Sequence, residues 1–238
     1  MINFLAVGCS LTKDNYQLTW PDYLSQSLNY KLTNIGARGA GINFLSKRVI
    51  YHCLHNSVDF IVIMLPSIDR FDWYVDQHSP LKQSALDIAS WQNGKISELV
   101  QIDGTLSKEC GYVLSGGEIR GDKKYWYKYY YNESGALLEY WNNVYNLENF
   151  FKNQKIKYYF TMAYDRDYLV EQLVNKTGHD QTYEFLFDII DWTKFIFYKE
   201  NRGFLSFVQD NHYKNISNNH PESLAHKSWV EQILIPKI

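Results

Sequence analysis

Apolar residues along this chain fall into short continuous runs separated by helix-spaced stripes. Residues 2–7 (INFLAV) form an apolar run that stops at Gly8, the pattern of a buried strand. Residues 21–29 (PDYLSQSLN) suit a short helix with Pro21 in its first turn. Residues 31–35 (KLTNI) predict a second short strand, and the glycine-rich turn GARGAG follows at 36–41. Within 42–55 (INFLSKRVIYHCLH), Ile42, Leu45, Val49 and Cys53 recur at helical spacing. Residues 59–65 (DFIVIML) give the clearest strand, an unbroken apolar run that fits a central parallel strand covered on both faces.

The pattern lapses between 70 and 135, where Gly, Ser, Lys and Tyr dominate and no period is sustained. That stretch holds too many aromatics for a disordered loop, so it reads as an insertion forming a cap or lid. Beyond it, 137–153 is an amphipathic helix and 155–164 (KIKYYFTMAY) a strand. Helices are expected at 166–176 and 180–191, and a closing helix at 221–234 begins with Pro221 in its first turn. Strand and helix alternate, which predicts a three-layer αβα sandwich around a mostly parallel, flavodoxin-like sheet. The expectation is one domain over 1–238, with the insertion at about 70–135.

Composition narrows the function classes. Hydrophobic residues are 45% and charged residues 21%, ordinary for a globular chain. A net charge of −2 provides no overall field toward nucleic acid or anionic lipid, so neither is expected as a partner. The basic aromatic run at 123–131 reads first as an exposed strand pair, and second as a surface for nucleic acid or glycan. The three cysteines are odd in number and include no CxxC; the start MINFLAVGCS lacks a charged n-region, and no apolar run is long enough to span a bilayer. A cytoplasmic setting is therefore expected. His52 and His55 flank Cys53 on one helix without a placed carboxylate, so no metal and no cofactor are expected.

Candidate chemistry collects just past the carboxyl ends of the predicted strands, where open α/β sheets bind ligands. These segments are Gly8-Cys9-Ser10-Leu11-Thr12, Asn34-Ile35-Gly36-Ala37-Arg38-Gly39 and Pro66-Ser67-Ile68-Asp69-Arg70. A fourth, Asn218-Asn219-His220-Pro221, opens the closing helix. Alone, Ser10 reads as a helix N-cap. Beside Gly39 and His220 it reads as a nucleophile.

These segments resemble, in order and spacing, the blocks of the SGNH/GDSL hydrolase family. Gly8 to Thr12 is similar to the Gly-Asp-Ser-x-Ser/Thr block, which implies Ser10 as nucleophile. Asn34 to Gly39 resembles the second block and implies Gly39 as an oxyanion donor. His220-Pro221 resembles the last block and implies His220 as general base. The wider pattern, with Trp20-Pro21, Gly39-Ala40-Gly41-Ile42-Asn43, Asp69-Arg70-Phe71 and His-Pro-x-x-x-Ala-His, resembles SGNH-like proteins of bacteriophages. The chemistry is coherent. A serine hydroxyl needs a base during attack. Histidine titrates near the required range. Glycine lets a backbone N–H approach a developing oxyanion closely.

The chain also departs from the blocks. The acid expected three residues before His220 is replaced by Ser217, which leaves Asn218 or the more distant Asp210 to orient the imidazole. The third-block asparagine is replaced by Ile68, with Ser67 the nearest polar group for the oxyanion hole. Asp69 and Arg70 read equally as substrate-binding residues or, with Asp72, as an ion-pair cluster fixing their loop. The resemblance implies a serine esterase or deacylase acting on a small-molecule or glycan ester. An acyltransferase on the same scaffold and a binding protein that has lost the acid are the alternatives. The sequence leaves the oligomeric state open.

Overall fold

The computed structural model describes residues 1–13, 16–70, 72–80, 99–114, 131–165, 185–186, 188–217 and 220–238. Its centre is a five-stranded sheet in which every pairing is parallel: β1 (Asn3–Val7), β2 (Lys31–Asn34), β3 (Phe60–Leu65), β8 (Lys157–Met162) and β9 (Phe195–Ile196). The spatial order is β2-β1-β3-β8-β9, so the chain reverses its direction of travel across the sheet between β1 and β3. That reversal opens a crevice at the carboxyl ends of the two strands.

Alternation along the strands builds two cores. Leu5, Val7, Ile61, Ile63 and Leu65 face one side, where they meet α2 (Ile42–His55) and the long α3 (Glu133–Gln154). Phe4, Ala6, Val62 and Met64 face the other, against α1 (Trp20–Leu28), α4 (Phe204–Asp210) and α5 (Ser223–Trp229). All six residues of β3 are buried, as its unbroken apolar run requires. Each such aliphatic side chain contributes about 1.5–3 kcal/mol relative to exposure.

The insertion contributes a four-stranded antiparallel sheet in the order β4-β7-β5-β6, from Asp72–Val75, Gly111–Leu114, Leu99–Val100 and Leu106–Ser107. It packs on α2, where Tyr112 lies 5.1 Å from Phe44 between ring centroids. The expected helix at 166–176 lies outside the described residues, as do 180–184 and 187 of the one expected at 180–191 and 123–130 of the basic aromatic run.

The closing helix differs from expectation. Pro221 pairs with Asn215 in a short antiparallel bridge between β10 (Asn215–Ser217) and β11 (His220–Pro221), and helix α5 starts only at Ser223 behind Glu222. A residue before proline is biased toward extended backbone, so His220 takes the bridge instead of a helical turn. Among the described residues no helix is long and apolar enough to cross a membrane.

Candidate active site

The turn after β1 carries Ser10. Thr12 and Lys13 N–H groups both return to the Cys9 carbonyl, at 3.0 and 3.2 Å, and close the turn. Gly8 is required there because a Cβ would lie 2.1 Å from Thr12 Oγ1 and 2.9 Å from the Met64 carbonyl. Thr12 is wholly buried and clamps the turn in place. Its carbonyl accepts from the Thr19 hydroxyl at 2.7 Å and from Asn34 Nδ2 at 2.8 Å, and its hydroxyl accepts from the Trp20 indole at 3.2 Å.

Asn34 joins this turn to the next one. Its Oδ1 accepts from Gly36 N–H at 3.0 Å, and Ala37 N–H donates to the Gly8 carbonyl at 2.9 Å. The segment 37–40 is itself a tight turn, closed by Ala40 N–H on the Ala37 carbonyl at 3.2 Å, with Gly39 at φ +73°. A positive φ at the third residue of such a turn favours glycine. Ser10 and Gly39 thus sit on adjacent turns at the switch point. Among the described residues neither N–H is used in a hydrogen bond, and the half-buried Ser10 hydroxyl makes none.

The turn after β3 closes through Arg70 N–H on the Ser67 carbonyl at 3.4 Å, and the Tyr140 hydroxyl of α3 holds the Pro66 carbonyl at 3.1 Å. Ser67 faces a cleft of about 970 Å³, together with Asp69, Tyr131, Tyr164, Asp165 and Tyr213. Ile68, in the position of the third-block asparagine, is 6% exposed and packs into the α2/α3 core.

Arg70 donates to the Ala40 carbonyl at 3.4 Å and reaches the Cys9 sulfur. Burial works against its charge, but Cys9, Tyr164 and Asp69 around it outweigh burial and raise its pKa. Burial likewise raises the Tyr164 hydroxyl, with Arg70 pulling the other way. Asp72 turns its carboxylate to the first turn of α2, within reach of the Arg70 charge.

The His220 segment docks beside the Ser10 loop. Gln17 Nε2 donates to the Pro221 carbonyl at 2.8 Å, and Ser223 Oγ bridges the Leu18 carbonyl at 2.8 Å and the Tyr23 hydroxyl at 2.7 Å. No hydrogen bond joins Ser10 to His220 in this arrangement. Asn218 lies outside the described residues. Asp210 is engaged elsewhere: Lys199 and Arg202 each donate to its Oδ2 at 2.6 Å, and the Lys199 hydrogen bond leads the influences that lower its pKa. His226 is buried against the Phe204 ring at 4.8 Å between centroids. Among the described residues, no cluster of three or more His, Cys, Asp or Glu is arranged to hold a metal.

Sequence reasoning did not anticipate two contributors. Thr12 and Asn34 were expected only as positions within matched blocks, and their clamping of the two turns depends on contacts across the sheet.

No family model matches the chain, and no curated protein matches it. Solved structures do. A catalytic mutant of an acetylxylan esterase from Geobacillus stearothermophilus is similar over 97% of this chain and 93% of its own, at 12% identity and a TM-score of 0.50. A protein described as lipolytic and of the G-D-S-L family, from Desulfitobacterium hafniense DCB-2, is similar over 97% of each chain, at 12% identity and a TM-score of 0.46. The α/β architecture with its mostly parallel sheet matches that of the acetylxylan esterase.

Proposed function

We propose that this chain is a serine-dependent ester hydrolase of the SGNH type. The observation that carries the reading is the pair of turns at the switch point, hydrogen-bonded to each other, with the N–H groups of Ser10 and Gly39 unspent. In this reading Ser10 Oγ attacks the ester carbonyl while His220 takes its proton. The carbonyl oxygen becomes an oxyanion held by the Ser10 and Gly39 N–H groups, with the Ser67 hydroxyl as a further donor. Collapse of that intermediate breaks the ester C–O bond, and the imidazolium returns its proton to the leaving alkoxide. Water, deprotonated by His220, then attacks the acyl-serine and releases the acid and free Ser10. Asn218 orients the imidazole through its amide oxygen. A neutral amide stabilises the imidazolium less than a carboxylate does, so turnover is slow.

The substrate class best supported is an O-acyl group on a carbohydrate. The cleft beside Ser67 carries Tyr131, Tyr164 and Tyr213 together with Asp69 and Asp165, a mixture of ring faces and acceptors suited to sugar hydroxyls. An acetylxylan esterase is among the similar structures. Transfer to a sugar hydroxyl instead of water would need no change in these roles.

One observation favours a second reading, a binding protein on the same fold. Ile68 fills the asparagine position with a buried apolar side chain, and Asp210 is committed to Lys199 and Arg202. Hydrolysis of p-nitrophenyl acetate separates the two. The esterase reading expects slow turnover that His220→Ala abolishes. With wild type no faster than buffer and unlabelled by a fluorophosphonate probe, and Asn218→Asp equally inert, the esterase reading gives way to the binding protein.

A further inference from the structure

Helix α2 opens without a cap of its own. Its N-cap residue is Gly41, which has no side chain to offer the orphan N–H groups of the first turn. Part of that need is met by a residue about thirty positions further along the chain. The Asp72 carboxylate, at the start of β4, accepts from Gly41 N–H with both oxygens, at 3.0 and 2.9 Å. It also accepts from Phe44 N–H at 3.1 Å. The Asp72 carbonyl accepts from Asn43 Nδ2 at 3.2 Å, and Arg70 reaches the Ala40 carbonyl at 3.4 Å. The fit is close: a Cβ on Gly41 would lie 2.6 Å from the Arg70 carbonyl and 2.8 Å from Asp72 Oδ2. Asp72 itself is 5% exposed. A band of hydrogen bonds therefore runs from 70–72 into 40–44, directly behind Gly39.

We propose that Asp72 is a positioning residue for the esterase site, its carboxylate anchoring the turn that presents the Gly39 N–H to the developing oxyanion. This rests on the reading of Gly39 as an oxyanion donor. Such donors act through preorganisation, because a donor that must first be brought into place stabilises the transition state less. The turn 36–41 is built of glycine and alanine around one arginine, so its own side chains fix it weakly. An external carboxylate supplies the missing constraint with charge-assisted hydrogen bonds, and its charge also complements the helix dipole.

The anchor is sensitive to protons. Arg70 faces Asp72 from its own segment, Glu139 from α3 and Tyr112 from β7. Burial pushes the Asp72 carboxyl up to about 7, against the pull of the Gly41 and Phe44 N–H groups and of Arg70, and with Glu139 adding to the rise. As pH falls through that value, the carboxyl takes up a proton and loses its charge and part of its accepting capacity. Burial makes the carboxyl hold that proton more tightly when anchored than when opened to water, so the turn is favoured as pH falls and loosens as pH rises through that value.

Asp72→Asn tests this, since the amide keeps the shape and one acceptor but neither charge nor titration. Two quantities are read: hydrogen–deuterium exchange of the peptide over 36–44 at fixed pH, and kcat and KM for p-nitrophenyl acetate across pH. The expected result is about tenfold faster exchange there with β3 unchanged, kcat lower by about tenfold or more, and KM within about twofold. The kcat profile should also lose one ionisation. Unchanged exchange overturns the proposal, and so does faster exchange with unchanged kcat. Should the variant not fold, wild type alone decides: protection of 36–44 relative to β3 rises from pH 8 to pH 6 if the anchor titrates, and a constant ratio overturns it. Wild type without esterase activity would remove the functional reading, while the exchange data would still show whether Asp72 holds the turn.

Discussion

Thr12 is buried, and both of its oxygens are occupied, by Trp20, Thr19 and Asn34. Thr12→Val keeps the volume but leaves the Trp20 indole N–H without an acceptor inside the core. An orphaned buried donor costs about 1–3 kcal/mol, so the urea midpoint should fall by the corresponding amount. An unchanged midpoint would mean that Trp20 finds another acceptor and that the clamp adds nothing. At Gly39 the backbone itself is at stake. A φ of +73° strains any residue with a Cβ, by about 1–2 kcal/mol. Gly39→Ala should therefore relax the turn and lower kcat by more than it raises KM; equal esterase kinetics in variant and wild type would count against Gly39 as a donor. Asn218→Asp supplies the acid that the last block lacks, and kcat should rise, because a carboxylate stabilises the imidazolium better than an amide.

Among the elements, those with a long local signal were legible in the sequence. The run 59–65 became β3 (Phe60–Leu65), and the stripe at 42–55 became α2 with the same bounds. Strand β9 has only the two residues Phe195–Ile196, too few for any periodic window, and it is held by pairing with β8. Helix α4 runs for seven residues and is anchored at its start by Asp165, which accepts from Gly203 N–H at 2.8 Å. Neither announces itself locally. The three blocks that bracket Ser10, Gly39 and Ser67 were readable because strand ends mark the ligand edge of a parallel sheet. The packing of Asp72 onto α2 was not, because nothing local relates a carboxylate to a helix start 31 residues away. Gly41→Ala probes that packing directly. Its methyl group would press on the Arg70 carbonyl, and overpacking of this kind costs about 1–3 kcal/mol. A thermal midpoint equal to wild type would show that the contact yields freely.

For the molecule as a whole, pH-dependent stability should carry the mark of Glu148. Its side chain has no exposed surface, and burial raises its carboxyl pKa; Asp191 N–H at 3.2 Å and Lys152 at 3.7 Å offset this only in part. A carboxyl whose folded pKa is raised is harmless at acid pH, where folded and unfolded chains both hold the proton. Stability is lost as pH rises from the ordinary glutamate range toward the folded value, since the unfolded chain releases its proton first. Glu148→Gln keeps the acceptor for Asp191 and removes the penalty. Tm at pH 7 should rise, and the gain should vanish near pH 4. A lower Tm at pH 7 would show that the pair with Lys152 outweighs burial. The central claim, however, concerns the switch point of the sheet, where β1 and β3 part and the Ser10 turn meets the Gly39 turn. A fluorophosphonate probe tests it most directly, because phosphonylation requires an activated serine and an oxyanion site together. Intact-mass and peptide analysis should show one adduct on Ser10 of wild type and none on Ser10→Ala. An unlabelled wild type, or equal labelling of both proteins, would contradict the assignment of Ser10 as the nucleophile.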